Sequence, residues 1–109
     1  MKKIYYLKTC DTCKRLLKEM DTSEYQLQEI KSNPITVKQL EELYERTQSY
    51  EVLFSRRAKK YKQMDLKNQR LEEKDYRQLI LDEYTFLKRP VIINETEVLV
   101  GNTKKRVQS

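Results

Sequence analysis

Cys10 and Cys13 are the two cysteines of this chain, and they stand in a Cys10-Asp11-Thr12-Cys13 run. The thiolate is the reactive form of cysteine, and its pKa falls at a helix N-terminus and beside cations. Lys8, Lys14 and Arg15 are close in sequence, and Cys13, Leu16, Leu17 and Met20 fall at i, i+3, i+4 and i+7, the stripe of an amphipathic helix. Cys10 is therefore expected in the turn ahead of that helix, as an exposed nucleophile. Cys13, on the apolar stripe, is expected as a more buried resolving thiol, close enough to close a disulfide across one turn. Half a zinc site and incidental thiols are the alternatives. Zinc takes about four ligands, and the chain has no His and no third Cys. A zinc site within one chain is not expected, whereas a Cys₄ site bridging two copies stays open.

Arg57 is the second informative residue. From Tyr50, the apolar residues Leu53, Phe54, Ala58 and Tyr61 recur at i+3, i+4, i+8 and i+11, and Arg57 takes the i+7 place among them. A guanidinium on a core-facing stripe needs an anion or an escape to solvent. A thiolate or oxyanion at the cysteine turn would satisfy it, and snorkelling at the edge of the core is the alternative. Arg89-Pro90 precedes a β-branched run, a place where proline often forms a tight, sometimes cis, junction. The run from Arg56 to Lys62 is basic, as is the end of the chain at Lys104, Lys105 and Arg106. Such runs are ordinarily solvated faces, and direct nucleic-acid binding is not expected.

The elements that must hold these residues follow from periodicity. Lys3 to Leu7 reads as a short buried strand, the cysteines as a break, and the Cys13 to Met20 stripe as the first helix. Tyr25 to Ile30 reads as a second strand. Thr36 with Gln39 forms a capping box for a helix over about residues 37 to 47. The Tyr50 to Tyr61 periodicity predicts a third helix, a polar loop follows from Asp65 to Asp75, and Tyr76, Leu79, Ile80, Tyr84 and Leu87 mark a longer fourth helix. Val91 to Ile93 and Val98 to Val100 then read as a hairpin closed by Gly101, and Asn102 to Ser109 as a loose basic tail. The predicted order is β-α-β-α-α-α-β-β, a thioredoxin-like α/β fold with a small mixed four-stranded sheet and a helical insertion.

A chain of 109 residues is expected to form a single domain over 1–109, since domains most often run about 100–150 residues. Hydrophobic residues are 38% of it and charged residues 37%, so the core is modest and must draw on residues such as Ile4, Leu16, Leu17, Leu79, Ile80 and Ile92. One Gly and two Pro disfavour an all-β sandwich with its many tight turns. The net charge of +6 draws anionic partners without choosing one. The apolar run after Met1-Lys2-Lys3 breaks at Lys8, too soon for a signal-peptide core or a membrane span, so a cytoplasmic protein with no membrane association is expected.

Together these residues resemble the arsenate reductase ArsC and Spx family of thioredoxin-fold proteins, over nearly the whole chain from Lys3 to Gly101. The resemblance rests on Cys10-Asp11-Thr12-Cys13, on Leu53-Phe54-Ser55-Arg56-Arg57-Ala58-Lys59-Lys60-Tyr61, and on Lys88-Arg89-Pro90-Val91-Ile92-Ile93 with Val100-Gly101. It implies that Cys10 is the nucleophile, Cys13 the second cysteine of the Spx branch, and Pro90 the cis-proline facing the site. It also implies that Arg89 is the family arginine beside that proline and Arg57 the helix arginine of the Spx-type branch. Arsenate reductases of this type set three arginines around one cysteine; Ser55 stands at the place of the first, and no arginine follows in the strand ending at Gly101. Spx-type regulators carry a glycine near the position of Ser49 and a longer C-terminal helical segment. The activity implied is thiol-disulfide oxidoreduction on a disulfide or oxyanion substrate, with weak arsenate reduction. The implied reductant is a thiol donor such as glutathione, glutaredoxin or thioredoxin, with no bound cofactor. The alternative implied is a redox-sensing regulator that binds RNA polymerase, its disulfide switching a surface around Tyr50 to Tyr61.

Overall fold

A computed structural model describes residues 2–101 and the backbone of Arg106 and Val107. Five strands form one mixed sheet in the order β2-β1-β3-β4-β5. They are β1 (Lys3–Tyr6), β2 (Gln26–Glu29), β3 (Val91–Ile93), β4 (Val98–Val100) and β5 (Arg106–Val107), with helices α1 (Asp11–Glu19), α2 (Val37–Thr47), α3 (Lys59–Gln63) and α4 (Glu73–Asp82). β1 pairs with β2 in parallel and with β3 antiparallel. β4 and β5 continue antiparallel from β3. The four expected strands and their mixed pairing are present. The two-residue β5 extends the sheet within the expected tail, whose other residues lie outside the described ones.

Antiparallel register sorts the sheet residues by face, because residues directly opposite share a side. Tyr5, Val91 and Val100 align across three strands, as do Ile4, Ile92 and Leu99. The first face carries the main core, where Tyr5, Val91, Ile93, Val98 and Val100 pack with Leu40 and Leu43 of α2 and with Tyr76 and Ile80 of α4. On the opposite face Ile4 and Ile92 are also buried. In α1 only Cys13 of the predicted stripe is fully buried; Leu16, Leu17 and Met20 are half-buried.

α2 starts as expected. Thr36 Oγ1 accepts from the Gln39 backbone N–H at 3.1 Å, and Gln39 Oε1 accepts from the Thr36 backbone N–H at 3.0 Å. The helix predicted from Tyr50 is a correction. Residues Glu51–Leu53 make one 3-10 turn, Phe54 is extended and bridges antiparallel to Leu87, and only Lys59–Gln63 are α-helical. Leu53, Phe54 and Ala58 are buried as the pattern requires. The backbone beside Phe54, however, is satisfied across the chain, with Ser55 N–H donating to Phe86 O at 2.7 Å and Lys88 N–H to Leu53 O at 2.8 Å. The predicted fourth helix likewise ends at Asp82 and continues as a separate 3-10 turn, Tyr84–Phe86, which lines up this bridge. The expected polar loop holds a 3-10 turn at Leu66–Asn68 and gives way to α4 at Glu73.

Candidate active site

β1 delivers the chain to the cysteines. The Cys10 N–H donates to Leu7 O at 3.1 Å, and the Cys10 carbonyl accepts the first helical bond, from Lys14 N–H at 3.0 Å. Cys10 is thus the N-cap of α1 in extended conformation, where the helix leaves unpaired N–H groups. The carboxylate of Glu29 holds this turn from the end of β2: it accepts from Lys8 N–H at 3.0 Å and from both donors of Ser32. Those bonds keep Glu29 near a pKa of about 2, first through Lys8 N–H and then through Ser32.

The β1 to β3 register decides what faces Cys10. Tyr5 lies opposite Val91, so continuing the pairing past the strand ends sets Pro90 and Arg89 beside Tyr6 and Leu7. The Arg89–Pro90 bond is cis. Gly101 N–H donates to Pro90 O at 2.8 Å and ties the end of β4 to the same place. Gly101 sits at φ +66°, a left-handed conformation open to glycine, and a Cβ there would approach the Lys88 Cβ at 3.6 Å. Arg89 Nη1 donates to Thr85 O and Leu87 O at 3.0 Å each, while its buried Nε has no hydrogen-bond partner among the described residues. The guanidinium is therefore fixed by the 3-10 turn and its Nε remains available as a donor.

The two thiols differ. Cys10 is half-buried and Cys13 only 1% exposed, and both are free. Burial acts to raise the Cys10 pKa, but the Cys13 backbone N–H, the Cys13 thiol and the Arg89 guanidinium outweigh it and hold it below the ordinary thiol value. The Cys10 side chain makes no capping hydrogen bond in this structure; the groups that lower its pKa do so by favouring the thiolate. Burial, with the neighbouring Cys10 charge, pushes Cys13 up to about 12, although the Leu7 N–H, 3.5 Å from its sulfur, and Arg89 act the other way.

An open cleft of about 520 Å³ lies over Cys10 and Arg89. Thr12 and buried Ser55 line it with Arg56, Arg57 and Lys88. Arg57 is in the cleft, as the reading that joined it to the cysteine turn requires, but it stands in the exposed turn ahead of α3 rather than on a helix stripe. The bridge at Phe54 breaks the helix that would have buried it. Arg56 ion-pairs with Glu51 at 2.7 Å and donates to Tyr76 Oη at 3.1 Å. Lys88 is half-buried, and burial first, then the Arg56 charge, holds its ammonium below the ordinary value. Sequence reasoning missed Lys88 and Glu29 as site residues; the antiparallel register places Lys88 there, and no local signal marks Glu29. Among the described residues no group of three or more His, Cys, Asp or Glu could hold a metal ion. Nor is any helix among them long and apolar enough to cross a membrane.

The model of the ArsC family matches residues 5–109. The chain belongs to the ArsC family. Over 108 residues it is 25% identical to the global transcriptional regulator Spx 1 of Bacillus cereus, covering 96% of this chain and 82% of that protein. An ArsC family related protein from Bacteroides fragilis superposes with a TM-score of 0.79 at 22% identity, over 94% of this chain and 91% of that one. An arsenate reductase from Vibrio cholerae gives a TM-score of 0.71 at 16% identity, over 84% and 81% of the two chains. At these identities the structural likenesses establish the ArsC-type thioredoxin-like fold.

Proposed function

We propose that this ArsC family protein is a cytoplasmic thiol-disulfide oxidoreductase with Cys10 as nucleophile and Cys13 as resolving thiol. The observation that carries the reading is the unequal pair: a half-buried Cys10 at the N-cap of α1 with its pKa lowered, beside a buried Cys13 with its pKa raised to about 12. The Cys10 thiolate attacks one sulfur of a disulfide, its Sγ–S bond forms as the substrate S–S bond breaks, and the first thiolate leaves and takes a proton from water. Cys13 gives up its proton and attacks Cys10 Sγ, which forms the Cys10–Cys13 disulfide and releases the second thiolate. Two thiol groups, from two molecules of glutathione or from one dithiol donor of the glutaredoxin or thioredoxin kind, then return the pair to dithiol and leave as the donor's disulfide. Arg89 stabilises thiolate or oxyanion charge, with Arg57 lining the same cleft and Pro90 buried beside Arg89, its carbonyl tied to the Gly101 N–H.

An arsenate-like dianion held by two guanidiniums instead of three loses a charge-assisted contact, worth roughly 1.5–3 kcal/mol or about 10- to 150-fold in binding. Disulfides are therefore expected to be the better substrates. Steady-state assays with arsenate and with a mixed disulfide, each coupled to one thiol donor, check this through kcat/KM. A higher value for arsenate would overturn the reading and give Arg56, which lines the cleft, the role of the missing arginine.

The likeness to Spx 1 favours a second reading, a redox-sensing regulator that binds RNA polymerase. Ser49 at the place of that branch's glycine weighs against it. Retention of RNA polymerase by the oxidised but not the reduced chain, without disulfide turnover, would establish it.

A further inference from the structure

Two cations in the cleft are uncommitted. Arg56 is occupied by Glu51 and Tyr76, and Arg89 Nη1 by two carbonyls. Arg57 and Lys88, by contrast, form no ion pair among the described residues, and the Arg57 backbone N–H alone is engaged, with Ser55 Oγ at 3.3 Å. No Asp or Glu of the described residues lines the cleft. Lys88 is held in place by its backbone bond to Leu53 O, and its stem passes Gly101. Burial and the Arg56 charge outweigh the pull of Glu51 on the half-buried Lys88 ammonium, so an incoming anion supplies counter-charge that the fold leaves short. The volume, about 520 Å³, falls within the roughly 300–1,000 Å³ of small-molecule sites and exceeds what one oxyanion at Cys10 fills.

We propose that Arg57 and Lys88 form a carboxylate subsite that makes the cleft selective for small disulfides bearing negative charge. This rests on the thiol-disulfide reading above: the disulfide reacts at Cys10 as already written, and the subsite holds the carboxylate of one half while that half becomes the mixed disulfide. Both residues act as specificity determinants and neither exchanges electrons or protons.

The test is single-turnover oxidation of the reduced chain, followed by the loss of its two thiols, with three aliphatic disulfides of differing charge. Dithiodiglycolate is dianionic, hydroxyethyl disulfide neutral and cystamine dicationic. The expected order of rates is dithiodiglycolate, then hydroxyethyl disulfide, then cystamine, with the first ratio falling as salt is added. Lys88→Gln lowers the dianion-to-neutral ratio by about fivefold or more, and Lys88→Arg retains it. Lys60→Gln, which removes equal charge outside the cleft, leaves the ratio in place. Should Lys88→Gln not fold, Arg57→Gln in its exposed turn gives the same comparison. Equal shifts in the Lys88→Gln and Lys60→Gln variants, or a wild-type ratio near one, overturn the subsite while the oxidoreductase reading stands. If no disulfide oxidises the pair, that reading falls and the subsite with it.

Discussion

At Cys10 four contributions meet on one sulfur: burial against it, and the Cys13 N–H, the Cys13 thiol and Arg89 for its thiolate. In a Cys13→Ser variant, alkylation of Cys10 is expected to reach half its maximal rate below pH about 8.5, the free thiol value. In Cys10→Ser, the remaining thiol is expected to stay unreactive until well above that pH, as its burial requires. Arg89→Met has two expected effects. The Cys10 midpoint rises toward about 8.5, because a favourable charge is gone. Unfolding free energy also drops, since Thr85 O and Leu87 O lose their donor, a cost of about 1–3 kcal/mol. Rates of iodoacetamide labelling against pH and a urea titration read these separately.

Among the elements, α2 and the Phe54 bridge carry the clearest tests. Thr36→Ala removes a cap seen in both directions and is expected to cost about 1 kcal/mol by urea unfolding. Phe54 is fully buried against Tyr76 and Phe86, with ring centroids at 4.9 and 5.0 Å, and also reaches the cleft. Phe54→Ala is expected to cost about 3–5 kcal/mol. Because its bridge to Leu87 aligns the turn that holds Arg89, Cys10 alkylation at neutral pH is expected to slow even where the variant remains folded. The spacing of Leu53, Phe54, Ala58 and Tyr61 matched a helix, and burial at Leu53, Phe54 and Ala58 matches it too. Periodicity reports which side chains go inside; the partner of each backbone N–H is a long-range matter, and here Phe86 O and Leu53 O accept in place of a helical carbonyl.

For the whole molecule, four groups shape stability against pH. Cys10 has a folded pKa below its unfolded one, so stability is gained as pH rises between the folded value and about 8.5. Cys13, pushed up to about 12, works the other way: the folded chain keeps a proton that the unfolded chain releases, and stability falls as pH rises above about 8.5. Tyr5, also raised to about 12 by burial and then Glu42, adds to the fall above about 10. Glu29, near 2, is lost on the acid side as pH drops below its ordinary value. Urea unfolding across pH should show a maximum near neutral to mildly alkaline pH, and Cys13→Ala should flatten the first part of the alkaline decline.

Local pattern was enough for the strands at Lys3–Tyr6, Val91–Ile93 and Val98–Val100, the capping box at Thr36, and the inequality of Cys10 and Cys13, because each is written within one turn or one strand. The resemblance, carried by Cys10-Asp11-Thr12-Cys13 and Lys88-Arg89-Pro90, extended that to the family. Tertiary structure alone decided the rest. Arg89 reaches Cys10 because β1 and β3 pair antiparallel at a register that sets Val91 opposite Tyr5. Arg57 lines the cleft from a turn because the Phe54 backbone pairs with Leu87. Lys88 and Glu29 join the site through backbone bonds to Leu53 and from Lys8. Hydrogen bonds between segments far apart in the chain leave no period in either segment, so only the folded chain shows which cations face the thiol.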